Sequence, residues 1–438
     1  MPVNKLKYYA LLLAFFGATA CSDKEIPQGV RLSVLPDNNL SQAENVSAKQ
    51  TVKIPAAKTN YIWSQNGGNS EHLNGNIAFN FPLEQAWRKN FGKSADKRDF
   101  LISEPIVVDD TIYTLDADAN IFAIKLGNGE EIWHKKLLSA DKSRRKTSLK
   151  ASGLAAFGDK IIAAAGFGEV FALNAKDGRQ VWHFDAKTPI RVAPMVANGK
   201  VFVQTINNRL FAINIENGEK LWDYEVMQED TTLLGGASPA FENRQDILVA
   251  AFSSGELQAF KASTGSPLWT SILVSNKYAA SASPINAIKA NPVIDDDLIF
   301  AIGNNKVFAA IDTRSGEKIW ELALSGITQP IVSGEYIFAV SQDNIVYAVN
   351  KESGKIVWQT AVKFENLDKN ESLSALNPLL LNDKILVAFS NGKILQIDAL
   401  SGGIVKESSL ETEIYAAPIA VNKKLVFITV GSEVIVYE

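Results

Sequence analysis

The chain has 438 residues, 46% of them hydrophobic and 21% charged, with a formal net charge of −4 at pH 7. That composition describes a folded protein with a large core, and its acidic balance excludes nucleic acid as the main partner, because a phosphate backbone calls for a clustered basic surface. Three histidines (His72, His134, His183) and a single cysteine exclude a polyhistidine metal site, an internal disulfide and a multi-thiolate zinc site.

Met1–Lys7 carries two lysines and no acid, and Tyr8–Ala20 is an apolar run rich in Leu, Phe and Ala. At about 13 residues that run is too short to span a bilayer, which needs roughly 20. With the small residues Gly17-Ala18-Thr19-Ala20 at its end, the stretch 1–20 reads as a secretory signal. Cys21 follows at once, and the arrangement resembles a bacterial lipoprotein signal. The resemblance implies that Cys21 becomes the mature N-terminus and carries acyl chains, two or more of which suffice for stable anchoring. Ser22, where aspartate would divert sorting, implies the periplasmic face of the outer membrane. Residues 21–60 are polar, hold Pro27, Pro36 and Pro55, and show no sustained periodicity, so a flexible tether is expected. Within it Val30–Leu35 alternates like a strand, open either to docking or to staying mobile.

Residues 61–438 are expected to form one repeat architecture. The stretch Phe81–Lys89, with Trp87, reads as a lone strand. Beyond it the phrase G-x-x-x-W recurs at Gly129/Trp133, Gly178/Trp182, Gly218/Trp222, Gly265/Trp269, Gly316/Trp320 and Gly354/Trp358, and a further copy at Gly402 has Lys406 in the tryptophan place. Pro105, Pro194, Pro292, Pro330 and Pro378 each stand 28 residues before the last position of a copy, and Pro239 stands 30 before it. Leu154 fills that slot ahead of Trp182, and Pro418 opens an eighth repeat that the chain does not carry to its fourth strand. Within Gln329–Thr360, short apolar or alternating runs are split by Gly, Asn, Asp and Ser, the pattern of four strands joined by hairpins. The fold predicted is all-β: an eight-bladed propeller of four-stranded antiparallel blades, with the strand around Trp87 completing the blade begun at Pro418 and so closing the ring. Seven blades is the competing count. The recurring tryptophan reads as a wedge between blades, and Lys406 marks the blade expected to pack most loosely.

Asp109-Asp110 and Asp295-Asp296-Asp297 fall where first-to-second-strand turns are expected, and read as solvated turn residues rather than metal ligands. The basic run Lys142–Lys150 reads as a solvated loop, with contact to anionic lipid or to an acidic partner as the alternative.

The segments Ala212–Trp222 and Ala348–Trp358, A-x-N-x-x-x-G-x-x-x-W, resemble the PQQ-type propeller repeat. An eight-bladed lipoprotein of this size, with W-S-Q-N-G-G-N-S-E-H at Trp63–His72, resembles the BamB family of outer-membrane assembly lipoproteins. The resemblance implies a non-catalytic scaffold with no cofactor, which binds the periplasmic POTRA region of the BamA-type subunit and aids insertion of outer-membrane proteins. In that family the loops between blades make the grip, which here implies Met227–Ser238 and Leu273–Asn291. The family's Leu-Arg-Gly falls on Leu233, Leu234 and Gly235, and its two acids fall on Ala287 and Lys289, so the arginine and both acids are missing. Leu233 and Leu234 are open to two roles, an exposed partner patch or residues tucked under the rim. Two further classes stay in view: a PQQ-dependent dehydrogenase-like enzyme, against which the lack of a second cysteine counts, and a propeller that takes ligands or peptides in its central channel.

Overall fold

The computed structural model describes residues 52–95, 103–139, 141–146, 149–226, 235–274, 286–364 and 373–438. Cys21, the tether up to residue 51, Leu233 and Leu234 lie outside the described residues. Eight four-stranded antiparallel meanders follow one another. Their inner strands are Ile106–Val108 (blade 1), Ala151–Phe157 (blade 2), Met195–Ala197 (blade 3), Ala240–Glu242 (blade 4), Val293–Asp295 (blade 5), Ile331–Ser333 (blade 6), Leu379–Leu381 (blade 7) and Ile419–Val421 (blade 8). Blade 8 continues through Lys424–Ile428 and Glu433–Tyr437 and takes its outer strand from Gln85–Asn90, where Trp87 pairs with Val436. The chain is therefore an eight-bladed propeller closed by an N-terminal strand, and closure leaves no gap in the ring for another chain to pair with.

The proline slot explains the inner strands. Seven of the eight start directly after a proline (Pro105, Pro194, Pro239, Pro292, Pro330, Pro378, Pro418), and each of those is three residues long. Proline has no N–H to give the ladder, so pairing begins behind it. In blade 2 the slot holds Leu154, and there the strand runs seven residues, Ala151–Phe157, with Leu154 paired to Ala163 inside it.

The recurring glycine and tryptophan form a joint between neighbouring blades. Each glycine of G-x-x-x-W takes a left-handed φ, from +68° at Gly354 to +76° at Gly218 and Gly265, and turns the last hairpin of its blade. The indole of the preceding blade lies against it: Trp269 on Gly316, Trp320 on Gly354, Trp87 on Gly129. The indole Nε1–H then donates to the carbonyl three residues before that glycine, as Trp269 does to Thr313 (2.9 Å) and Trp133 to Ala175 (2.9 Å). Lys406 stands exposed where the joint between blades 7 and 8 would be. In blade 8 the third and fourth strands are not consecutive, so that junction has no hairpin glycine for an indole to cover. Phe79, Phe81 and Leu83 pack there instead, in a buried cluster shared by blades 7 and 8, with the Lys384 ammonium 4.5 Å over the Phe81 ring.

Before its strand in blade 8, the chain docks from Val52, ahead of the boundary at 60 that composition suggests. Val52 is buried in the blade 6–7 cluster. From Asn60 to Ile77 the segment touches the inner strands in order round the ring. Asn60 bonds Ala420 and Asn422 of blade 8, Trp63 pairs with Val107 of blade 1, and Gln65 pairs with Ala155 of blade 2 and accepts from Val196 of blade 3. After a turn at Gly67-Gly68, the carbonyls of Ser70 and Glu71 accept from Phe241 (blade 4) and Ile294 (blade 5), Gln329 before blade 6 donates to the His72 carbonyl, and Asn76–Ile77 pairs in parallel with Leu380–Leu381 of blade 7. One lap thus laces all eight blades together and covers one end of the central channel.

Candidate partner-binding site

Among the described residues, the channel is uncovered on the side of the connections that lead into the inner strands. Two adjoining hollows lie there, of about 320 Å³ on the axis and about 290 Å³ beside blades 3 to 5, and both are lined by Arg191, Val192, Gly235, Gly236 and Lys289. The repeat register builds them. Residues three before the proline slot (Arg191, Gly236, Lys289, Ile327, Ala375, Tyr415) line the mouth, and residues one before it (Glu104, Asn291, Asn377) reach the floor.

Of the residues expected from sequence, Gly235, Ala287 and Lys289 are described, and all three line the hollow of about 290 Å³. Gly235 has a φ of +88°, and a Cβ there would stand 3.6 Å from Lys289 Cε, so backbone and lysine stem lie side by side. Ala287 is buried, whereas Lys289 is half-buried, and that burial pulls its ammonium pKa below the usual lysine range. Arg191, a residue sequence reasoning passed over, is shifted down by the same cause, and its Nη1 donates to the carbonyls of Gly166 (2.6 Å), Ile190 (3.1 Å) and Leu149 (3.4 Å).

The floor carries a second missed group. Burial raises the Glu104 carboxyl to about 7, against partial compensation from the Gly67 N–H (3.4 Å), the Asn377 amide (3.0 Å) and Asn66. Asn291 ties the floor to the lap by donating to Asn66 and to Gln329 (3.0 Å), and accepts from the Ser238 N–H at 2.7 Å. His72, buried beside Gly67, bonds the Pro292 carbonyl through Nδ1 at 2.8 Å, and desolvation lowers its pKa to about 4.

The other charged features resolve into structure. Asp109, Asp110 and Asp296 sit in first-to-second-strand turns with left-handed φ of +49°, +55° and +55°, and Asp295 accepts from Lys351 at 2.7 Å. Among the described residues no group of three or more His, Cys, Asp or Glu side chains is placed to hold a metal ion. Three residues of the basic run are tied inward: Arg144 makes two 2.8 Å bonds to Asp185, Arg145 donates to the Ser139 carbonyl at 2.7 Å, and Lys150 pairs with Asp118. Arg144 in turn holds Asp185 well below the usual carboxylate range.

Comparison with known proteins agrees with this architecture. The family model described as "Outer membrane protein assembly factor BamB" matches residues 143–360. The protein of that name from Moranella endobia is 23% identical over 358 residues, 81% of this chain and 90% of the relative. The crystal structure of BamB from Moraxella catarrhalis superposes with a TM-score of 0.68 at 17% identity, over 82% of this chain and all of that one. A europium-containing methanol dehydrogenase also reaches a TM-score of 0.68, at 14% identity over 84% of this chain and 89% of its own, so the fold by itself does not separate the two classes. BamB is matched in sequence as well as in fold, and the chain is a BamB-like β-propeller of PQQ-type repeats.

Proposed function

We propose that the chain is an outer-membrane protein assembly factor, held by lipid at Cys21 on the periplasmic face of the outer membrane and acting as a non-catalytic scaffold. The observation that carries this reading is the sequence kinship with assembly factors over most of the chain. Its partner is a BamA-type subunit, gripped at the connections 227–238 and 273–291 that flank the open hollow, with unfolded outer-membrane proteins passing close by. Supporting this, Gly235, Ala287 and Lys289 converge on one rim site, where a rigid ring holds them in place. The acids of the family pattern are replaced there by Ala287 and Lys289, so the charge pairing with the subunit differs from the family's.

Affinity purification of the full chain from solubilised membranes tests the reading. Barrel-assembly subunits are expected in the eluate, and a Lys289→Glu charge reversal is expected to reduce their yield at least about tenfold, which corresponds to a loss of about 1.4 kcal/mol at one interface charge. An eluate without those subunits would remove the scaffold reading. Cys21→Ala is expected to release the protein from the outer-membrane fraction.

A further inference from the structure

Three polar residues in the hollow beside blades 3 to 5 have unused capacity among the described residues. The Lys289 ammonium finds no acceptor, although burial presses it toward its neutral form. Arg191 spends only Nη1 on the three carbonyls behind it, so Nε and Nη2 are left unengaged. On the other wall Gln204 is buried, donates its amide N–H to the Ala251 carbonyl at 3.0 Å, and leaves its Oε1 without a donor. Val192, Ile206, Phe252 and Ile288 make up much of the remaining lining, which among the described residues contains no carboxylate. Glu104 belongs to the adjoining hollow, where three donors already occupy it.

Each of these facts constrains a ligand. A desolvated ammonium beside a guanidinium favours an anion with fixed oxygens, and a charge-assisted bond is stronger than a neutral one. The orphan carbonyl oxygen of Gln204 calls for an N–H in the same molecule, and the aliphatic and aromatic wall calls for an apolar group. A carboxylate, an amide N–H and an apolar side chain occur together at the last residue of a peptide, and capture of a terminal carboxylate is an established mode of recognition. The lap from Asn60 to Ile77 covers the opposite end of the channel, so approach is from the connection side.

We propose that this hollow binds the C-terminus of an extended peptide chain ending in an apolar residue. The terminal carboxylate meets Lys289 and Arg191, the last amide N–H meets Gln204 Oε1, and the last side chain lies against Phe252 and Ile288. Gly235 and Gly236 keep the wall free of side chains: a Cβ on Gly235 would stand 3.6 Å from Lys289 Cε, and one on Gly236 would come 2.7 Å from Val192. This inference shares Lys289 and Gly235 with the proposed partner grip but needs no assembly subunit, and a protein that captures none could still bind such a terminus.

The test uses the purified full chain and a Gly-Ala-Leu peptide labelled with fluorescein at its N-terminus, as the free acid and as the C-terminal amide, read by fluorescence anisotropy. The acid is expected to bind at least about tenfold more tightly than the amide, as loss of a charge-assisted contact predicts. Lys289→Gln is expected to abolish that preference, Lys289→Arg to keep part of it, and Lys406→Gln, far from the hollow, to leave it whole. The thermal midpoints of the variants separate lost binding from lost folding. Equal binding of acid and amide, or none by either at millimolar protein, would overturn the proposal. So would competition by acetate, or by an amidated peptide with an internal aspartate, as effective as that of the unlabelled acid, which would assign the hollow to carboxylates in general.

Discussion

Two titratable side chains near the channel axis, half-buried Glu104 on the floor and buried His72 in the lap, have opposite effects on stability. Glu104 keeps its proton up to about pH 7 in the folded chain, whereas its ordinary value is 4.5. Its contribution is whole below about pH 4.5 and is lost as pH rises through about 7. His72 stays neutral in the folded chain down to about 4, against an ordinary 6.5, so its contribution is whole above 6.5 and is lost as pH falls toward 4. Each slope approaches about 1.4 kcal/mol per pH unit, and between about pH 4.5 and 6.5 they cancel. The wild-type urea midpoint is therefore expected to be nearly flat across that range. In Glu104→Gln the histidine slope stands alone, and the midpoint is expected to drop as pH falls from 6.5 to 4.5. A variant whose pH profile matched the wild type would show that Glu104 does not titrate as its burial demands. Neither shift was legible in the sequence, because burial on the axis depends on eight blades meeting there.

At the scale of the element, the joint between blades was largely legible and its exception was informative. G-x-x-x-W announced a hairpin and a wedge. Its periodicity could not say that the indole caps the glycine of the next blade rather than of its own. That geometry makes the glycine doubly constrained. At Gly316 the backbone is left-handed (φ +73°), and an added Cβ would lie 2.5 Å from the Trp269 ring. Gly316→Ala is expected to destabilise by about 2–4 kcal/mol, from the cost of a left-handed alanine and of overpacking together. A loss under about 1 kcal/mol in chemical denaturation would mean that the joint yields easily. The proline slot was visible as spacing, yet its register also placed Arg191 and Lys289 in equivalent positions three residues upstream. Reading every repeat at that offset would have found the channel mouth from sequence. Lys406 falls at the junction where the ring closes, so the failed motif and the borrowed strand share one cause.

For the whole molecule, blade count and closure followed from the truncated repeat at Pro418 and the stray Trp87. The lap did not. Residues 60–77 have no period of their own, since each residue answers a different blade, and a segment of that kind looks like a linker. Its many single bonds should make ring closure cooperative. Trp87→Ala, at the one outer strand not joined by its own hairpin, is expected to cost about 3 kcal/mol and to expose the edge of Glu433–Tyr437 to exchange. Hydrogen exchange in that strand, compared with Trp222→Ala in blade 3, measures how far closure depends on it. Equal protection in the two variants would show that the lap alone suffices.

The lap also counts. From Asn60 to Ile77 it offers one set of contacts per blade, in ring order, with the Gly67-Gly68 turn midway. A ring that gained a repeat by tandem duplication would leave one inner strand unmatched and shift every later contact by a blade. A ring that lost one would leave the segment too long. The fold therefore carries a built-in tally against unequal recombination, the error to which genes made of similar repeats are most exposed. Departures in single repeats, such as Leu154 and Lys406, leave the lap's contacts in register, whereas a change in repeat number would shift them.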